Sequence, residues 1–169
     1  YLIRGLIKEE AEVKVVMTTS ASSFITPLTL ATLSKNPVSI DFVKNTQGEW
    51  TNHVELGLWG DAFLIAPLTA NTLGKMANGL CDNLLLATYL SARCQVFVAP
   101  AMDLDMYQHP STQKNLRTIE EYGNYVIDSG YGELASGLIG KGRMAEPNEL
   151  IIFLKDFFQK QNSNNEFSK

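Results

Sequence analysis

The groups best placed to do chemistry in this sequence are a lone imidazole, two short polar runs and a glycine-rich stretch. His53, in His53-Val54-Glu55-Leu56, stands just before an apolar run, and an imidazole held there can accept and return a proton. The same residues also read as a loop histidine with no chemical role. His109, in Tyr107-Gln108-His109-Pro110, reads as surface structure. Thr69-Ala70-Asn71-Thr72 follows Ala66-Pro67-Leu68 at a helix start. Free backbone N–H groups and the helix dipole there favour a phosphate or the polar edge of a heterocycle. Alternatively, Thr69 simply caps that helix. A second apolar run ends in the same Ala-Pro step and continues as Ala101-Met102-Asp103. Between Gly130 and Gly142 lie five of the chain's 12 glycines, which suits either a flap that closes over a substrate and excludes water or an ordinary surface loop. Trp59 reads as core or as a lid over a cofactor.

Positioning these groups requires alternating helices and strands. Tyr1 to Glu10 has the apolar spacing of a helix, and Val13 to Met17 that of a short strand. Ser20 or Ser22 can cap a helix carrying Phe24, Leu28, Leu30, Ala31 and Leu33, which Asn36-Pro37 stops. The polar residues Asp41 to Asn52 predict a loop with a Gln47-Gly48 turn. Asp61 to Pro67 and Gln95 to Pro100 predict strands buried on both faces, as in a parallel sheet. Helices are predicted over Thr69–Leu80, over Asp82–Ser91 with Asp82 at its start, and over Ser111–Tyr122. A last strand is predicted at Tyr125–Ile127, and Pro147 opens a closing helix through Phe158. The order predicts a doubly wound α/β class with a mostly parallel sheet and a ligand beyond the carboxyl ends of its strands. Residues 1–158 form the expected domain, and residues 159–169 a polar linker or disordered tail.

Composition narrows the function classes. The 169 residues are 45% hydrophobic and 19% charged, which is enough to build one core. A net charge of -4 and a pI near 5.2 argue against nucleic acid as a partner. Cys81 and Cys94 form no zinc-type spacing and no disulfide framework, so no metal site is expected and a cytoplasmic setting is the default. The longest apolar runs are strand-length, so no membrane span is expected.

Four segments, in order, resemble the homo-oligomeric flavin-containing cysteine decarboxylase family, over nearly the whole chain. His53-Val54-Glu55-Leu56 resembles its active-site histidine motif. Ala66-Pro67-Leu68-Thr69-Ala70-Asn71-Thr72, continued by Gly79-Leu80-Cys81-Asp82-Asn83-Leu84-Leu85, resembles its flavin-binding motif. Pro100-Ala101-Met102-Asp103-Leu104-Asp105-Met106-Tyr107 resembles its substrate motif, and Gly132 to Met144 its substrate clamp. The resemblance implies a Rossmann-like flavoprotein in which FMN oxidises a cysteine thiol to a thioaldehyde and carbon dioxide then leaves to give an enethiolate. In coenzyme A biosynthesis the substrate would be 4'-phosphopantothenoylcysteine, and reduction and protonation would complete 4'-phosphopantetheine. His53 would transfer protons. Thr18, Ser20, Phe24, Thr69, Ala70, Asn71, Thr72 and Ala101 would surround FMN, while Asp103, Met106, Ala135 and Gly137 would meet the substrate. A trimer or dodecamer is implied, with a synthetase domain fused after the polar tail.

Three features depart from the family pattern. The family opens with a strand and a phosphate-holding Gly-Ser-Ile-Ala turn, whereas this sequence opens at Tyr1 in a helix-like run, so the first strand is expected to lie outside it. Asp103 replaces an asparagine that meets the substrate carboxylate. Either Asp103 is protonated there, or other groups such as clamp amides hold that carboxylate. Ser136 stands at the position of the family's acidic cysteine, and a hydroxyl is a far weaker acid than a thiol. The rival readings are a peptidyl-cysteine decarboxylase, which stops at the enethiol, and a flavin-binding regulatory subunit, for which the usual long acidic tail is not seen.

Overall fold

The computed structural model describes residues 1–43 and 47–166. Its centre is β4 (Gln95–Pro100), a strand buried along almost its whole length. It pairs in parallel with β3 (Ala62–Leu68) on one side and β5 (Tyr125–Val126) on the other. The period-2 alternation of β4 divides the core in two. Val96 and Val98 pack with Leu73 and Met76 of α4 (Ala70–Ala77), Leu86 of α5 (Leu84–Ser91), and Leu116 and Ile119 of α7 (Pro110–Glu121). Phe97 and Ala99 point the other way, toward Leu2 and Leu6 of α1 (Leu2–Lys8) and Leu150 and Leu154 of α8 (Pro147–Glu166). Helices thus cover both faces, as expected of a doubly wound α/β fold.

The sheet is divided. β1 (Val15–Val16) and β2 (Val38–Ser39) form a separate parallel pair, and β6 (Gly130–Glu133) and β7 (Ile139–Arg143) an antiparallel hairpin. β3 is the edge of its three-stranded sheet, so Asp61–Pro67 is only half-buried rather than buried on both faces. Its Ala66–Pro67 peptide is cis.

Several predicted boundaries move, for local reasons. The helix expected from Ser20 or Ser22 is a 3-10 turn at Thr19–Ser23 followed by α2 (Pro27–Ser34). Thr26 caps α2, its hydroxyl accepting the Thr29 N–H at 3.2 Å, and Pro27 supplies a first-turn residue without an orphan N–H. Asn83, not Asp82, caps α5 by accepting the Leu86 N–H at 2.9 Å; Asp82 pairs with Lys75 instead. The glycine stretch expected as a loop is the β6–β7 hairpin. The closing helix runs past Phe158 to Glu166, because Gln159, Lys160 and Gln161 are helix formers with no glycine or proline to stop them. The expected disordered tail therefore begins as helix, and residues 167–169 lie outside the described residues.

No described helix is long and apolar enough to cross a membrane.

Candidate functional site

The carboxyl ends of β3 and β4 are bonded to each other and to the hairpin. Ala101 N–H donates to the Leu68 carbonyl at 2.9 Å, and Met102 N–H to the Gly142 carbonyl at 2.9 Å. Ser129 Oγ donates to the Pro100 carbonyl at 2.9 Å. This corner holds three of the predicted groups together. On the β3 side, Thr69 caps α4, its Oγ1 accepting the Thr72 N–H and donating to Thr72 Oγ1, each at 3.3 Å. Thr72 is buried, whereas Asn71 is exposed in the first helical turn. The capping role of Thr69 is thus realised, and Ala70 and Asn71 remain available to a ligand there.

On the β4 side, Asp103 caps α6 (Leu104–Gln108), with Oδ1 accepting the Leu104 N–H at 2.6 Å. Its side chain is committed to starting the helix that carries exposed Met106 and buried Tyr107. The hairpin closes the third side. A Cβ on Gly140 would come within 2.6 Å of Leu104 Cδ1, and one on Gly142 would overlap the Met102 carbonyl oxygen. The glycines are there because the two backbones approach this closely. At the exposed tip, Leu134 N–H donates to the Leu138 carbonyl and Gly137, at φ +84°, turns the chain. Ser136 Oγ accepts the Leu138 N–H at 3.3 Å, next to exposed Ala135. The stretch read as flap or loop is a hairpin docked at its base and open at its tip.

Two other groups lie apart. Thr18 and Ser20 follow β1, where Thr18 Oγ1 accepts the Ala21 N–H at 3.2 Å. The Phe24 ring beyond them is 91% exposed. His53 does not precede a strand; it is the first residue of α3 (His53–Trp59), capped by Asn52, whose Oδ1 accepts the Val54 and Glu55 N–H groups. Phe42 and Trp50 turn ring edges to it at 6.0 and 6.2 Å. Among the described residues, no hydrogen bond or ring contact joins His53 to either strand-end group. Trp59 is neither core nor flavin lid in this chain: it is exposed, with Lys14 Nζ 4.1 Å above its ring.

Flavin binding calls for neutral donors along one polar edge, an apolar surface against the rings, and a polar atom in want of a partner. The hydroxyls and first-turn N–H groups at Thr69–Thr72 meet the first requirement, and the bare Phe24 ring the second. The third is met by His53 Nδ1, which is buried with no hydrogen-bond partner in the structure. An unpaired buried nitrogen costs about 1–3 kcal/mol, which a bound donor or acceptor would offset. Cys94 is no substitute for an acidic thiol, since burial raises its pKa.

α3 is held by close contact with α5. A Cβ on Gly57 would stand 2.7 Å from the Ser91 carbonyl carbon and oxygen, and Gly57 O accepts the Arg93 N–H at 3.3 Å. Gly57→Ala is therefore expected to cost about 1–3 kcal/mol despite alanine's better helix propensity, lowering the melting temperature by roughly 5 °C. An unchanged melt would show that α3 can shift freely and does not fix His53.

A model of the family described as Flavoprotein matches residues 1–159. Over 137 residues the chain is 63% identical to a protein of an unknown prokaryotic organism named "Cysteine/Cysteine sulfinic acid decarboxylase", covering 81% of this chain and 38% of that protein. It is 38% identical over 162 residues to the "Coenzyme A biosynthesis bifunctional protein CoaBC" of Bacillus subtilis (strain 168), covering 96% of this chain and 40% of that protein. The chain thus spans about two fifths of these relatives' lengths. Among solved structures it is similar to a PPC decarboxylase mutant complexed with pantothenoylaminoethenethiol. The TM-score is 0.81 at 36% identity, over 93% of this chain and 88% of that one. It is also similar to "The FMN binding protein AtHal3", with a TM-score of 0.77 at 35% identity, over 94% and 88% of the two chains.

Proposed function

Because the chain belongs to the Flavoprotein family, we propose that it is the FMN-dependent decarboxylase segment of a longer, cytoplasmic protein and acts on 4'-phosphopantothenoylcysteine in coenzyme A biosynthesis. The observation that carries this reading is the bonded corner of β3, β4 and the hairpin, where a capped helix start and a substrate wall meet. The names of the Bacillus subtilis relative and of the solved decarboxylase support the substrate.

In this reading Thr69 to Thr72, with Thr18, Ser20 and Ala101, hold the polar edge of FMN, and Phe24 lies against its rings. Bound there, FMN supplies a two-electron acceptor for thiol oxidation and a donor for the return step. Met106 and Asp103 on α6, with Ala135 and Gly137 at the hairpin tip, line the substrate. An imidazole nitrogen of His53 takes the proton released from the substrate's S–H. The hairpin excludes water as the carboxylate departs. Because His53 and the strand ends are not joined within one chain, assembly into a homo-oligomer, a trimer or dodecamer, brings the imidazole to the flavin. Exposed Phe24 and Leu28 offer apolar surface for that contact.

A second reading follows from the 63% identical relative: free cysteine or cysteine sulfinate as the carboxylate that is lost. Product analysis separates the readings. The full-length protein is expected to purify yellow and to release carbon dioxide from phosphopantothenoylcysteine faster than from cysteine or cysteine sulfinate; the reverse order selects the second reading. A yellow protein that releases none from any of them is a flavin-binding regulator.

Ser136 bears on how far the reaction runs. Its hydroxyl is tied into the hairpin turn and is a poor acid. Ser136→Cys is therefore expected to raise the ratio of saturated thiol to enethiol, which is lighter by two hydrogens, in the mass spectrum of the product. An unchanged ratio assigns the final proton to another group.

A further inference from the structure

We infer that Lys141 is the positioning residue that fixes the β6–β7 hairpin over the wall formed by residues 101–107. Lys141 lies between two glycines that bring the hairpin against Leu104 and Met102. Its ammonium reaches out of the hairpin in two directions. It donates to Asp128 Oδ1 at 2.9 Å, on the segment that joins β5 to the hairpin. It also stands 5.8 Å above the ring of Tyr107, which is buried in α6. One cation therefore ties three pieces of chain: the returning strand, the entry to the hairpin and the substrate-wall helix.

Without it, the base of the hairpin is held to this corner by the Met102–Gly142 backbone bond and glycine contacts, which fix how close the two come but offer no side-chain grip. Hydrogen bonding to Asp128 raises the Lys141 pKa, so the latch stays charged at neutral pH. Lys141 itself does no chemistry. It acts through the hairpin, by setting the distance between the tip and Met106.

The inference rests on residues 101–107 being the substrate wall. In the flavin-loaded full-length protein, Lys141→Met is expected to raise KM for the decarboxylated substrate about fivefold, the size of one exposed ion pair with an aromatic contact, with kcat within twofold. Lys141→Arg should restore KM, since guanidinium keeps both contacts. Asp128→Asn should reproduce part of the effect, and the double variant should be no worse than Lys141→Met alone. Hydrogen exchange of the Met102 amide should quicken in Lys141→Met and return to normal in Lys141→Arg. A KM unmoved by Lys141→Met, or additive losses in the double variant, would overturn the assignment. The exchange measurement needs no turnover. If no candidate substrate is decarboxylated, the proposed function fails, while faster or unchanged exchange at Met102 still decides whether Lys141 holds the hairpin.

Discussion

His53→Asn is expected to lower turnover about 10²- to 10⁴-fold, the range in which positioned proton transfer operates, while the protein still purifies yellow. Three structural facts separate the chemical loss from a folding loss. The cap of α3 is Asn52, not His53, so the helix start survives. The buried Nδ1 makes no hydrogen bond, so its replacement breaks none. Only edge contacts with Phe42 and Trp50 are lost, and an amide fills part of the same space without a proton to exchange near neutral pH. Carbon dioxide release and visible absorbance of the bound flavin, measured on the same sample, check both halves of the expectation. Turnover equal to the parent's would remove His53 from the mechanism; loss of colour would make it a cofactor contact instead.

Gly142→Ala should reduce kcat/KM roughly 100-fold, the cost of displacing a positioning element by about an ångström. The new methyl would overlap the Met102 carbonyl oxygen, and Gly142 holds φ +154°, which alanine rarely adopts. Neither backbone can yield without breaking the Met102–Gly142 bond, so the hairpin base moves away from residues 101–107. Gly140→Ala is the internal control, because its methyl meets the end of the flexible Leu104 side chain, which can rotate. A loss of threefold or less is expected there. Equal, small effects in both variants would show that the hairpin takes no part in binding. Thermal melts should separate this local displacement from unfolding, since the hairpin lies outside both core clusters except at Leu134's neighbourhood with Gly142.

Much of this arrangement is legible in the residues. Alternation along Gln95–Pro100 reveals both faces of the core, because β4 is central and every second side chain is buried on the same side. Thr69 announces its helix by type and place. Elsewhere the signal is ambiguous or nonlocal. Asp103 before Leu104 is a helix-start signal, yet α6 has only five residues, too few for periodicity to register. Thr26-Pro27 marks the start of α2 more strongly than Ser20 or Ser22, because it joins a cap to a proline at the first helical position. β2 is two residues long and exists only through pairing with β1. Glycine at 132, 140 and 142 reads as loop because sheet propensity reflects packing of side chains, and here the backbone packs in their place. Lys141 and Asp128 are 13 residues apart, and nothing in either neighbourhood names the other. His53 is visible as a chemical group, but its place at a helix start depends on Asn52 and on the fit of Gly57 against Ser91.

Where the hairpin base abuts residues 101–107, Gly140 and Gly142 present main chain alone. A boundary of that kind has no side chain to exchange, so descendants of this sequence cannot retune ligand preference there by substitution. Divergence in what is accepted must be written on the facing helix or at the open tip, and libraries aimed at altered selectivity should spare the base and vary Asp103, Met106, Ala135 and Ser136.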